Sequence, residues 1–352
     1  MWHQFSLFVI DIVALLGIYL IINFSLRLQL GYTGVFNFGL VLTFTGGAYV
    51  VGWLPVRLGM WILHIDSSLG ENMIWNNGLI ISKINSIIQG NIWVGLAIFF
   101  ITLIVAAFIG AILGFASGYP AARLEGDYLA ISFLALGEIL RVIGTNYDPL
   151  IGGPLGVQVP DIWAWTGNFR FITASTVNIL VAFGVWIYMY FLERSPISRT
   201  LRAVRDNKVV ASSLGKNVTK IRLKVIVAGG IMCSIAGALY AFYTAGVVTS
   251  AYGMNEWTFI PWVMVVFGGL GSNWGVVVGT LTFLVIQKLI IFYKYSFTFL
   301  PFDPVWLQYI LMGSALLLIL IFKPSGIVPE KISYALTMRK TEKIANEILS
   351  GK

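Results

Sequence analysis

Charge is scarce in these 352 residues: Asp, Glu, Lys and Arg together make up 11%, against 58% hydrophobic residues. Soluble chains carry about 25% charged residues, so a soluble globular domain is excluded. Cysteine is scarcer still. Cys233 stands alone, which excludes an intrachain disulfide, and the two histidines, His3 and His64, have no ligand partner at metal-binding spacing. No cofactor or metal is therefore expected. Nothing fits a phosphate-binding GxxxxGKS or GxxxxGKT loop, and GGLGSNWG does not fit GxGxxG. No serine lies within reach of a histidine in the apolar runs, so an intramembrane hydrolase lacks its dyad. Asp11 and Glu138 are the carboxylates inside those runs, fewer than a proton-relay pump usually needs.

Long apolar runs dominate instead, with a mean hydropathy of +0.86. Runs of about 20 residues can each cross a hydrocarbon core ~30 Å thick, and their continuity argues against a β-barrel, whose strands alternate. The expectation is an all-α polytopic membrane protein with 8–10 spans. The runs fall at 5–26, 31–54, 91–118, 128–145, 174–192, 225–248 and 305–322, with two shorter pieces at 259–270 and 276–291.

The net charge of +8 is concentrated rather than spread. Residues 193–224 read ERSPISRTLRAVRDNKVVASSLGKNVTKIRLK, in which nine basic residues face only Glu193 and Asp206. A short basic connection between spans belongs on the cytoplasmic face. The basic tail from Lys323 onward belongs there too, and no Lys or Arg precedes the first run. These placements predict an N-terminus outside, a C-terminus inside and a transmembrane domain over 1–330 with a cytoplasmic tail at 331–352. They also predict outer loops at 55–90 and 146–173 and a glycine-broken hairpin at 259–292 whose tip points inward. The asymmetry follows from insertion, so the high pI does not imply nucleic-acid binding.

The basic loop has a shape of its own. Ser195-Pro196 is a helix start, the hydroxyl accepting an orphan N–H and the proline giving up no hydrogen bond. Ile197, Leu201, Val204, Ala211 and Leu214 recur at helical spacing, and Gly215 offers a stop. The pattern predicts one amphipathic helix, or two joined near Asp206-Asn207. Such a helix either rests on anionic headgroups or docks a soluble partner.

Candidates for a transport path are polar or glycine-rich points within apolar surroundings. Asn37, between Phe36 and Phe38, must face protein, because an amide in lipid lacks partners. Glu138 and Arg141 share a helical face and can pair, as a structural ion pair or as part of a path. Gly152 and Gly153 precede Pro154 in a fixed turn. Gly268, Gly269, Gly271 and Ser272 break the hairpin, and broken helices are tolerated where backbone lines protein rather than lipid. The bland reading of that break is a tight packing turn.

Four ordered motifs carry a resemblance: GYTGVFNFG, YLAISFLALGEILRVI followed by IGGPLGV, the loop ERSPISRTLRAVRDN, and VVFGGLGSNWGVVVGT. Together they resemble permease subunits of branched-chain amino acid ABC importers, more the M-type than the H-type, over residues 31–323. Residues 55–90 depart from the family in length and content. The resemblance implies a type II ABC importer permease in a prokaryotic plasma membrane. It also implies two ATP-binding subunits, a second homologous permease, an extracytoplasmic substrate-binding protein and surrounding membrane lipid as partners. Ser195, Pro196, Leu201, Arg202, Arg205, Asp206, Asn207, Ala211, Leu214 and Gly215 would then dock the ATPase, with Arg202 and Arg205 as steering charges. A self-sufficient carrier or channel, and a permease for urea, amides or sugars, are the rival readings.

Overall fold

A computed structural model describes residues 2–62, 76–121, 124, 126–293, 303, 305–323 and 325–329. The middle of the 55–90 stretch and the 331–352 tail lie outside the described residues. Helices account for nearly everything. In order they are α1 (Trp2–Leu26), α2 (Leu40–Ile62), α3 (Asn77–Gly90), α4 (Ile92–Ala121), α5 (Gly126–Asn146) and the single turn α6 (Asp148–Ile151). They continue with α7 (Arg170–Arg194), α8 (Pro196–Asp206), α9 (Lys208–Ser213), α10 (Val218–Thr244), α11 (Ile260–Gly268), α12 (Asn273–Phe292) and α13 (Val305–Phe322). Among the described residues seven helices are long and apolar enough to cross a membrane. Beside them stand the nine-residue α11 and the 18-residue α13.

α10 is the central post, packed against α4, α2 and α1. Small residues make that possible. A Cβ on Gly47 of α2 would lie 1.8 Å from the Ser234 carbonyl oxygen, and one on Gly237 1.9 Å from that of Phe44. The two backbones therefore touch, the close approach that small residues permit between membrane helices. Asn217, which formally opens a glycosylation sequon, instead caps α10 by accepting from Lys220 N at 2.9 Å.

Pro55 was expected to end the second span, and it does not. α2 carries on through Pro55 to Ile62, so Trp61, within the expected outer loop, belongs to the last turns of a spanning helix. Membrane helices tolerate such a proline when neighbours satisfy the freed backbone. Farther along that expected loop, a separate amphipathic helix forms. α3 buries Ile80, Ile81, Ile84 and Ile88 and clamps the far loop, Asn77 Oδ1 accepting from Gln158 N and Asn85 Oδ1 from Asp161 N. Asp161 pairs in turn with Arg170 at 2.5 Å, and β1 (Val157–Gln158) pairs antiparallel with β2 (Gly246–Val247).

A glycine break separates α11 from α12. α11 stops at Gly268, Gly269 takes φ 111°, and α12 begins at Asn273. The tip between them meets the segment after α13, where Ile327 N donates to Phe267 O and Val328 N to Gly268 O. The tip, the start of α8 and the end of α13 thus share one end of the bundle.

Candidate functional site

At that end the chain gathers a buried polar cluster around Arg27. α1 runs into a π-helical turn, Arg27–Gly31, every residue of which is buried. Arg27, 1% exposed, donates to the carbonyls of Leu270 at 3.3 Å and Gly271 at 3.2 Å. It also donates to Asn273 Oδ1 and lies 3.5 Å from Glu193. Asn273 Nδ2 closes the ring by donating to Glu193 at 2.7 Å. One guanidinium therefore holds the broken tip of the hairpin to the last turn of α7. Its five fixed donors suit that task, which a point-charge lysine cannot perform.

The basic loop joins the same cluster. Arg202 lies 3.7 Å from Glu193, and Arg205 Nη1 donates to Gly31 O at 2.5 Å. Tyr32 sits beneath two guanidiniums, 4.8 Å from Arg27 and 5.6 Å from Arg202. Burial holds its phenol above the usual tyrosine range against the pull of both arginines, so the ring stays neutral and offers them its π face. Arg202 and Arg205 are thus turned onto their own chain. The cations left exposed on this loop include Arg199, Lys216 and Lys220.

Of the one or two helices the sequence allowed, the loop forms two. Asn207 separates α8 from α9, its side chain accepting from Val210 N at 3.0 Å, and Gly215 ends the pair at φ 77°. Two details differ. Ser195 has the extended backbone of a cap, yet its hydroxyl donates back to Leu192 O at 2.7 Å and caps nothing. The apolar stripe divides: Leu201, Val204 and Ala211 are buried, whereas Ile197, Val209, Val210 and Leu214 stand 53–75% exposed. Pro196 fills the first helical position of α8, and Asp206 its last, 3.1 Å from Arg205 Nε.

Asn37 lies in the non-helical stretch between the π-helical turn and α2. Its amide donates to Gln29 Oε1 at 2.6 Å and accepts from Gly39 N at 2.7 Å, while its carbonyl accepts from Trp262 Nε1 at 3.0 Å. Thr258 Oγ1 accepts from Val41 N at 3.2 Å, so the hairpin's first arm caps a helix that starts inside the bundle. Every one of these bonds satisfies backbone or amide groups that lipid would leave bare. Phe38 stacks on Trp262 at 4.4 Å, and Phe36 does so at 6.0 Å from its exposed position.

The remaining path candidates do not converge. Glu138 and Arg141 pair with each other on α5 and are about a third to two-fifths exposed. Gly152 and Gly153, both at positive φ, turn the chain at the far end. Gly271 joins the Arg27 cluster through its carbonyl, and Gly268, Gly269 and Ser272 lie in the same break between α11 and α12. Sequence reading missed Arg27, Gln29, Tyr32, Thr258, Trp262 and Asn273. The available signal was a charge and an amide, Arg27 and Gln29, at the foot of an apolar run. For the α5 pair, removing one partner leaves an unpaired charge in a membrane helix. Glu138→Ala and Arg141→Ala are each expected to lose more folded protein, by detergent gel filtration, than the double variant.

A family model described as "Branched-chain amino acid transport system / permease component" matches residues 8–320. The chain belongs to this permease family. It is 36% identical to the "Probable branched-chain amino acid transport permease protein LivM" of Methanocaldococcus jannaschii, over 94% of this chain and 97% of the relative. The high-affinity branched-chain amino acid permease LivM of Escherichia coli is 26% identical, over 91% of this chain and 70% of the relative. More distantly, the galactose/methyl galactoside import permease MglC of Haemophilus influenzae is 24% identical over 62% of this chain. No solved structure matches. As a permease of this family, the chain is a multi-pass protein of the cell membrane.

Proposed function

We propose that this chain is a membrane half of an ABC importer for branched-chain or related hydrophobic amino acids, the solute named for its nearer relatives. In this reading ATP hydrolysis on two partner subunits drives alternating access, a second homologous permease completes the path, and an extracytoplasmic binding protein delivers substrate. The carrying observation is the exposed apolar set Ile197, Val209, Val210 and Leu214 on a strongly basic loop. Ile197 on α8, Val209 and Val210 on α9 and Leu214 at the C-cap of α9 offer a helix-in-groove anchor to a soluble partner. Behind that surface, Arg205 and Arg202 connect α8 to Gly31 and Glu193, and Arg27 connects Glu193 to the hairpin tip. A push on α8 therefore has a continuous polar route to the break between α11 and α12.

Leu201 and Arg205, the residues a sequence-based test would change, are poor probes of docking. Leu201 is 4% exposed and Arg205 holds Gly31, so changing either disturbs the permease itself. Val209→Asp with Leu214→Asp touches neither. The double variant is expected to insert normally and to recover at least about tenfold less ATP-binding subunit in co-purification, the scale of losing a central anchor. Undiminished recovery would remove α8–α9 from the docking surface.

A further inference from the structure

Two neighbouring hollows at the surface of the helix bundle have no role yet. One is an apolar groove of 220 Å³ between α1, α7 and α12, walled by Phe24, Ala182, Phe183 and Val277 among others. The other, 360 Å³, lies past the end of α7 and is lined by Tyr190, Glu193, Arg194 and Ser272 among others. Trp186 and Trp274 line both, and their rings meet edge to face at 5.8 Å. An apolar slot thus opens, across a tryptophan pair of the kind that marks a membrane boundary, into a polar chamber.

The charges in the chamber select its occupant. Glu193 is already held by Arg27, Arg202 and Asn273. Arg194 is exposed, lies over the Tyr190 ring at 4.1 Å and has no carboxylate partner among the described residues. The uncommitted charge is therefore a cation at the mouth of an acyl-chain-sized groove. We propose that these two hollows form one site for an anionic glycerophospholipid of the leaflet on the docking-loop side. A fatty chain lies along Phe24, Phe183 and Val277, and the phosphate meets Arg194. Basic pockets at membrane-helix ends bind acidic headgroups on this basis. The lipid then rests on Ser272 and Trp274, directly beside the hairpin tip held by Arg27, and stiffens that tip from the outside.

The test uses the full-length chain in mixed micelles of phosphatidylglycerol and phosphatidylcholine in equal amounts, read by native mass spectrometry. The wild type is expected to retain phosphatidylglycerol over phosphatidylcholine by roughly five-fold, the scale of one surface arginine. Arg194→Gln is expected to bring that ratio close to one, and Trp274→Ala to lower total retained lipid. Both side chains are at the surface, so folding is not at risk. A benzophenone amino acid at Phe183 gives the independent reading in native membranes, where it is expected to attach to phospholipid. Attachment to a second polypeptide would make the groove a subunit interface and overturn the proposal. So would a wild type that shows no headgroup preference, or an Arg194→Gln chain that keeps it.

Discussion

Arg27→Met is expected to abolish uptake while leaving co-purification of ATP-binding subunits close to wild type. Methionine matches the length of arginine's apolar stem but donates nothing. The carbonyls of Leu270 and Gly271 and the Asn273 amide oxygen then lose their donor at once, and Glu193 keeps only Arg202 and Asn273. Removing one partner of a buried pair costs about 3–5 kcal/mol. Since Glu193 is 35% exposed, about 3 kcal/mol is the better figure, a fall in melting temperature on the order of 5–10 °C. Arg27→Lys is expected to recover part of the stability and little of the uptake, because an ammonium cannot reach both tip carbonyls and Glu193 together. Thermal scans in detergent and uptake of labelled leucine in the assembled transporter read the two effects separately. Full uptake by Arg27→Met would show that the hairpin tip moves without this link.

Gly47→Ala and Gly237→Ala carry the second large effect. Each methyl group would fall less than 2 Å from a carbonyl oxygen of the facing helix, so backbone has to move. Overpacking typically costs 1–3 kcal/mol, and a rigid backbone neighbour puts these two at about 3 kcal/mol or above. The yield of monodisperse protein in detergent is expected to collapse for either. Gly184→Ala is the control. Nothing lies within 4 Å of its added methyl, and replacing a mid-helix glycine is expected to stabilise by about 0.5–1 kcal/mol. Equal yields from all three variants would mean that α2 and α10 do not touch as described.

What the sequence made legible was whatever depends on composition and local period. The basic loop stood out because nine cations in 32 residues interrupt apolar runs, and its division at Asn207 follows from that residue's capping chemistry. The glycine break at 268–272 was legible because no span of that length survives it. Pro55 misled, since a proline ends a helix in water more readily than in a bundle that satisfies the freed carbonyl. Arg27 was invisible for a different reason. At the foot of a span a basic residue reads as a topological charge, and nothing local reveals that partners 166 to 246 residues away will bury it. The same holds for Asn37, whose need for protein partners was evident but whose partners, Gln29 and Trp262, were not. Arg202 and Arg205 looked like surface charges by spacing alone, whereas the fold turns both inward.

Uptake by reconstituted vesicles bears most directly on the central claim that energy enters from outside the chain through α8–α9. Vesicles carrying the purified chain alone are expected to take up no labelled leucine under any ion gradient. Uptake is expected only when the second permease, the ATP-binding subunits and the binding protein are added with ATP, and to be lost in Val209→Asp/Leu214→Asp. Accumulation by the chain alone, driven by a gradient, would contradict the account.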